Sequence, residues 1–315
     1  MSTTAGEESN TIGSICSEAL KMVRTNRENL LEVALKGEIT HSAVAPSYTT
    51  GWDERPRLGL GRGGIVYNVK VGDPCFGWAM GEKVEPGASA DGVGEDREKG
   101  AFRNLSCVGN RVRVVDGEAK GEWGTVVGKV GYIPGGGHHV VIDFGEENLE
   151  KLTIGDKVQV RAVGVGLKLV DYPGVRVISC SPGLLEAMGL GERDGRLVVP
   201  VAKVVPAEYV GQGHGGYPPE ASNWDIQTQS PDAVAHVEDL RFGDVVLLED
   251  ILSAWGRGYY EGAVTVGVVS CGPSEALGQG IGVTTLLTCK EGEIEARVDP
   301  DANLKKLLCI GGGQG

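Results

Sequence analysis

Apolar and polar residues alternate along most of this chain in short runs broken by glycine, and that period of two predicts strands. The runs are "GIVYNVKVGD" (64–73), "NRVRVVDG" (110–117), "GTVVGKVG" (124–131), "HHVVIDF" (138–144), "DKVQVRAVGVGLKLV" (156–170) and "VRVISC" (175–180). Further along come "RLVVPVAKVVPA" (196–207), "DVVLLED" (244–250), "AVTVGVV" (263–269) and "VTTLLTC" (283–289). Three stretches read as helix instead. In "TNRENLLEVALKG" (25–37), Thr25 and Glu28 have capping-box spacing, Leu30, Leu31, Ala34 and Leu35 form a stripe, and Gly37 ends it. "SPGLLEAMGLG" (181–191) offers Ser181 as N-cap and Pro182 as the first helical residue, and "DPDANLKKLLC" (299–309) predicts a last short helix. Strands outnumber helices, with no strand-then-helix alternation. The expected class is therefore α+β, predominantly β, with a small barrel segment, further sheets and short helices.

Composition changes this picture little. The 315 residues can bury a large core, and 51 glycines, scattered between β-branched runs, point to turns and close approaches. The net charge of −13 argues against a nucleic-acid partner, which needs a basic face. No apolar run reaches the length of a membrane-spanning helix. The N-terminal stretch lacks the basic and apolar regions of a secretory signal, and seven scattered cysteines without a CxxC pair suit a reducing cytoplasm. The expected layout is a loosely ordered leader (1–24), a helix plus β-rich region (25–210) and a C-terminal β-rich region with glycine-rich pocket loops (211–315). The loop "GQGHGGYPPEASNWD" (211–225) is the softest boundary, and the two regions could form one continuous domain.

Candidate chemistry falls in three places. In "GWAMGEKVEPGASADG" (77–92), Glu82, Lys83, Glu85 and Asp91 share a loop punctuated by glycine and proline, suited to acid-base work or equally to a solvated turn. In "SNWDIQTQ" (222–229), Asp225 follows a glycine-rich loop that holds His214. The third, 241–282, brings Asp244, Glu249, Asp250, Arg257, Tyr259 and Gln279. Arg257 between Gly256 and Gly258 has an open approach, suited to gripping a carboxylate or phosphate. "GQGIG" (278–282) lacks the spacing and the following helix of a nucleotide loop, which excludes that reading. His138 and His139 are strand neighbours facing opposite ways, so they cannot chelate one metal together.

"GNRVRVVDGEAKGEWGTVVGKVG" resembles a KOW-type segment of an SH3-like barrel, spanning 106–171, whose acidic surroundings favour scaffolding over RNA binding. Taken together, "GGIVYNVKVGD", "VEPGAS", "LEKLTIGDKVQVRAVGVGLKLVDYP", "WDIQTQ", "LRFGDVVLLED" and "WGRGYYEGAVTVGVVS" resemble the prokaryotic family catalogued as domain of unknown function 4438. The resemblance implies a fold and no activity. It also implies histidine at three positions that here are Lys83, Val130 and Gln279, whereas Glu85, Asp225, Asp250, Arg257 and Tyr259 match.

The expectation is an enzyme of hydrolase, lyase or isomerase type acting on a small polar or anionic metabolite, a specialised sister of its family. Lys83, Glu85, Asp225 and Tyr259 would be catalytic, with Arg257, Gln279, Glu82 and Asp250 binding substrate. No cofactor is required; a divalent cation, if one binds, would be Mg²⁺ or Ca²⁺ on oxygen ligands. The expected partner is the small-molecule substrate, with no nucleic acid or membrane, and self-association to cover strand edges is left open. The alternative is a non-catalytic pseudo-enzyme that binds a metabolite or partner.

Overall fold

The structure, a computed structural model, describes residues 23–42, 49–50, 54–131, 138–211, 218–254 and 258–310. The leader up to residue 22, His214 and Arg257 lie outside the described residues. The first strands in chain order are β1 (Val33–Ile39), β2 (Thr49–Thr50), β3 (Pro56–Arg57), β4 (Ile65–Val66) and β5 (Gly87–Gly92). After helix α1 (Asp96–Leu105) come β6 (Arg111–Val114), β7 (Trp123–Val130), β8 (His139–Asp143), α2 (Glu146–Leu149) and β9 (Lys157–Ala162). Next are β10 (Arg176–Val177), α3 (Pro182–Ala187), β11 (Gly191–Arg193), β12 (Arg196–Val201), β13 (Lys203–Val205), β14 (Asn223–Gln227) and α4 (Pro231–Val237). The chain ends with β15 (Val245–Ile251), β16 (Tyr259–Cys271), β17 (Gly280–Cys289), β18 (Ile294–Val298) and α5 (Leu304–Leu307).

Strands β1-β9-β6-β7-β8-β5 pair in that order, and β5 pairs back onto β1, closing a six-stranded barrel to which β4 adds at β5. Closure removes the free edges that an open sheet exposes. Four of the six strands come from the segment that resembles an SH3-like barrel. Alternate residues point inward, so Val112, Val114, Val158, Val160 and Ala162 fill the interior. A second sheet runs β10-β17-β16-β15-β13, with β14 on the far side of β17, and a small sheet holds β11-β12-β18. The predominantly β, α+β class holds.

The barrel meets the second sheet where β7 packs on β16 and β17. Gly128 makes this possible: a Cβ there would stand 2.4 Å from the Ser270 Cβ. Thr284 Oγ1 accepts from Lys129 N at 2.9 Å and donates to Lys129 O at 3.0 Å, so one hydroxyl satisfies both polar groups of a buried strand residue. Val127, Val130 and Val141 of the barrel join Val266, Val268 and Leu286 in one core.

Several expected elements differ. The helix at 25–37 is a single 3₁₀ turn, Arg27–Asn29, followed by β1. Its leucines alternate in burial, with Leu35 buried and Leu31 83% exposed, because the barrel pairs this segment with β9 and β5 and overrides helix propensity. Gly37 is mid-strand. The expected strand at 64–73 is only Ile65–Val66 followed by turns, and the last helix is only Leu304–Leu307. The loop 77–92 ends in strand β5, and 222–229 contains strand β14. Helices α1 and α4 and strand β18 were not expected. Helix α3 is as expected, with Ser181 Oγ accepting from Leu184 N at 3.2 Å.

Candidate functional site

Residues 60–64 run beside 82–89, tied by Glu82 N to Leu60 O (2.9 Å), Glu85 N to Gly61 O (2.8 Å) and Ser89 N to Gly64 O (2.8 Å). On the other side, Lys83 N donates to Pro273 O (2.8 Å) and Gly272 N to Val84 O (2.9 Å), so the segment is clamped between barrel and second sheet. Lys83 has a φ of 49°, a left-handed conformation that costs a side-chain-bearing residue energy and is retained where surroundings dictate it. Lys83 Nζ donates to Asp225 Oδ1 of β14 at 2.6 Å, and Asn223 Nδ2 donates to the same oxygen at 3.2 Å. Both members of the pair are buried, Lys83 2% and Asp225 4% exposed. Burial works against the charge on both: for Lys83 the pull of Asp225, with Cys271, outweighs it and the pKa is raised, whereas for Asp225 burial outweighs Lys83 and its pKa is raised as well. Lys83 is thus held as a cation and hydrogen-bond donor.

Glu82 and Glu85 lie on either side. Glu82 accepts from Arg62 at 3.2 Å, from Glu275 N at 3.1 Å and from the Ser274 hydroxyl. Glu85 Oε2 accepts from the Ser89 hydroxyl, and its Oε1 faces His139 Nε2 at 3.2 Å without hydrogen-bond geometry. His139 can approach because Gly63 has no side chain: a Cβ there would stand 3.1 Å from the ring. Cys271 links the two halves. Burial pushes its thiol up to about 12, and Lys83, Asp225 and Glu85 all act on it electrostatically. Lys83 and Glu85, two residues apart, are thus brought near Asp225, which lies some way along the chain. Three atoms of this cluster, Arg62 Nε, Glu85 Oε1 and His139 Nε2, are buried without a hydrogen-bond partner among the described residues. Such groups are rare and costly.

A cleft of about 460 Å³ adjoins the cluster, lined among others by Phe76, Gly81, Gln229, Pro231, Ser274 and Glu275. Gly81, the residue before Glu82, lines it, as do Ser274 and Glu275, which hydrogen-bond to Glu82. Gln279 stands nearby, its carbonyl accepting from Gln229 Nε2 at 2.6 Å. The remaining expected residues are elsewhere. Tyr259 opens β16 opposite Ile251 and is 69% exposed. Asp250 sits in the β15 bulge at φ 55° and accepts from Gly262 N at 2.7 Å. Asp91 is a barrel-strand residue paired with Arg103, whose Nε lies 2.8 Å from Asp91 Oδ1.

Sequence reasoning missed Arg62, His139 and Lys129. Arg62 carries the same signal that drew attention to Arg257, an arginine between glycines ("GRGG", 61–64). Lys129 is a second buried lysine. Its Nζ donates to Glu220 O at 2.5 Å, Ser179 Oγ at 3.0 Å and Asn104 O at 3.5 Å, and burial lowers its pKa to about 8. His138 and His139 face different groups, as strand alternation requires: burial and Arg103 lower His138 to about 4. Among the described residues no group of three or more His, Cys, Asp or Glu is set to hold a metal ion.

The pattern of Domain of unknown function (DUF4438), N-terminal, matches residues 48–186, and that of the DUF4438 C-terminal domain matches 187–308. The chain belongs to the DUF4438 family. Its fold is similar to the crystal structure of TM1086, with 38% sequence identity and a TM-score of 0.83 over 90% of this chain and 98% of that one. No curated protein matches it. Of the three positions where resemblance to the DUF4438 pattern implies histidine, Lys83 carries the ion pair, Gln279 lies by the cleft, and Val130 pairs with His139 across β7 and β8. No helix among the described residues is long and apolar enough to cross a membrane.

Proposed function

We propose that this DUF4438 protein is an enzyme that acts on a small polar metabolite by acid-base chemistry at the Lys83–Asp225 and Glu85–His139 cluster. The observation that carries the reading is the buried set Arg62, Lys83, Glu85, Asp225 and His139, in which, among the described residues, Arg62 Nε has no hydrogen-bond partner and Glu85 Oε1 and His139 Nε2 face each other at 3.2 Å without completing one. Burying so many ionisable groups does not serve stability, since apolar packing would do as well or better. Perturbed groups beside a cleft are instead a mark of functional sites. Lys83 would present a fixed positive charge to developing negative charge, Asp225 would orient it, and Glu85 would take part in proton transfer. Glu82, held by Arg62 next to the cleft-lining Ser274 and Glu275, and Gln279 would contact substrate. Arg257 remains a candidate for an anionic substituent.

The test is turnover in a polar-metabolite extract, followed by mass spectrometry, for the wild type and Glu85→Gln. The reading expects a metabolite consumed by the wild type and at least a hundred-fold slower loss in a folded Glu85→Gln. Equal turnover by both would overturn it.

A further inference from the structure

The cluster contains two carboxylates that are answered by cations, Glu82 by Arg62 and Asp225 by Lys83, each through a direct contact. Among the described residues, no lysine or arginine pairs with Glu85. Its nearest basic group is His139 Nε2, at 3.2 Å, and both residues are almost wholly buried, Glu85 1% and His139 4% exposed. The contact is unfinished: neither Glu85 Oε1 nor His139 Nε2 completes a hydrogen bond, although they face each other.

We propose that His139, oriented by Glu85, is the proton-carrying group of this site. This rests on the acid-base reading above and names the residue that does the proton work, a residue the sequence did not single out for it. Lys83 is unsuited, because Asp225 holds its ammonium protonated. In the imidazolium form, a ring N–H bond breaks as the proton passes to an oxygen or carbanionic carbon of the substrate, and the bonding pair stays on that nitrogen. Neutral imidazole remains beside the Glu85 carboxylate, and a proton from water or from the next substrate restores it. Glu85 acts as a positioning residue, fixing the ring and favouring its protonated form. Three groups bear on the ring: Glu85 and Asp91 favour its charge, while Arg103 opposes it. Burial lowers the His139 pKa, Glu85 raises it, and the balance is a raised value, against about 4 for His138 on the opposite face. Two adjacent histidines pushed apart in this way mark an acid-base assignment.

The test is a pH titration of the ¹⁵N-histidine-labelled full chain by NMR, reading the ring nitrogens of each histidine. The expected result is a His139 midpoint above 6.5, more than a hundred-fold less acidic than His138, and a fall of at least ten-fold in proton affinity in Glu85→Gln. A His139 midpoint at or below 6.5 in the wild type overturns the proposal without any variant. So does an unchanged midpoint in a folded Glu85→Gln. Absence of turnover together with the expected titration would sink the enzyme reading and leave the dyad standing. Turnover that survives a failed titration would sink the dyad alone.

Discussion

Lys129 shows how much one buried charge can cost. Burial disfavours its ammonium, whose hydrogen bonds among the described residues go to neutral oxygens, and the pKa falls from 10.5 to about 8. Below pH 8 both folded and unfolded chains carry the proton and the folded state bears the full penalty. Between pH 8 and 10.5 the folded state releases its proton first, so stability from this residue rises with pH. The wild type should therefore gain about 2 to 3 kcal/mol relative to Lys129→Met between pH 7 and pH 10, by the linkage of roughly 1.4 kcal/mol per pKa unit. Urea denaturation of both proteins at the two pH values measures this. A constant difference would mean that Lys129 titrates normally.

Among the elements, the union of α1 with the barrel has the clearest physical cause. Gly37 of β1 and Gly92 of β5 face each other across the closing strand pair, and both lie under α1. A Cβ on Gly37 would stand 2.5 Å from the Phe102 ring, and one on Gly92 2.6 Å from the Lys99 Cα. The helix can lie this low only because the floor has no side chains. Gly37→Ala and Gly92→Ala should each cost about 1–3 kcal/mol, as overpacking does. Gly100→Ala, with open space at its Cβ and a place within the helix, should stabilise by roughly 0.5–1 kcal/mol. Thermal denaturation of the three variants checks the contrast. The same region shows what the sequence could and could not reveal. The alternating valines of β6 to β9 state their strands directly. Residues 25–37 carry a helix cap and stripe, and only pairing with β9 and β5, far along the chain, makes them a strand. The candidate site was partly legible: Lys83, Glu85 and Asp225 stood out by residue type and loop setting. Arg62 and His139 did not, because their meaning depends on Gly63 bringing His139 against the 60–64 segment and on a β5–β8 pairing that no local pattern encodes.

At the scale of the molecule, a closed barrel and an open sheet share one apolar core, and the polar cluster sits where their loops interlock. The two parts have to be assembled for the site to exist, since Lys83 and Glu85 come from the segment entering the barrel and Asp225 and Cys271 from the second sheet. On the proposed reading, that placement accounts for a costly group of buried charges: the seam would be where substrate chemistry is enclosed. The central claim, that the Lys83–Asp225 pair exists for function and not for stability, is tested most directly by turnover of the folded double variant Lys83→Met/Asp225→Leu. Replacing a whole buried ion pair with apolar residues commonly leaves stability unchanged or raises it by about 1–4 kcal/mol. The account predicts a folded protein, no less stable than the wild type, that has lost metabolite turnover. Full turnover in that variant, or failure of the variant to fold, would contradict it.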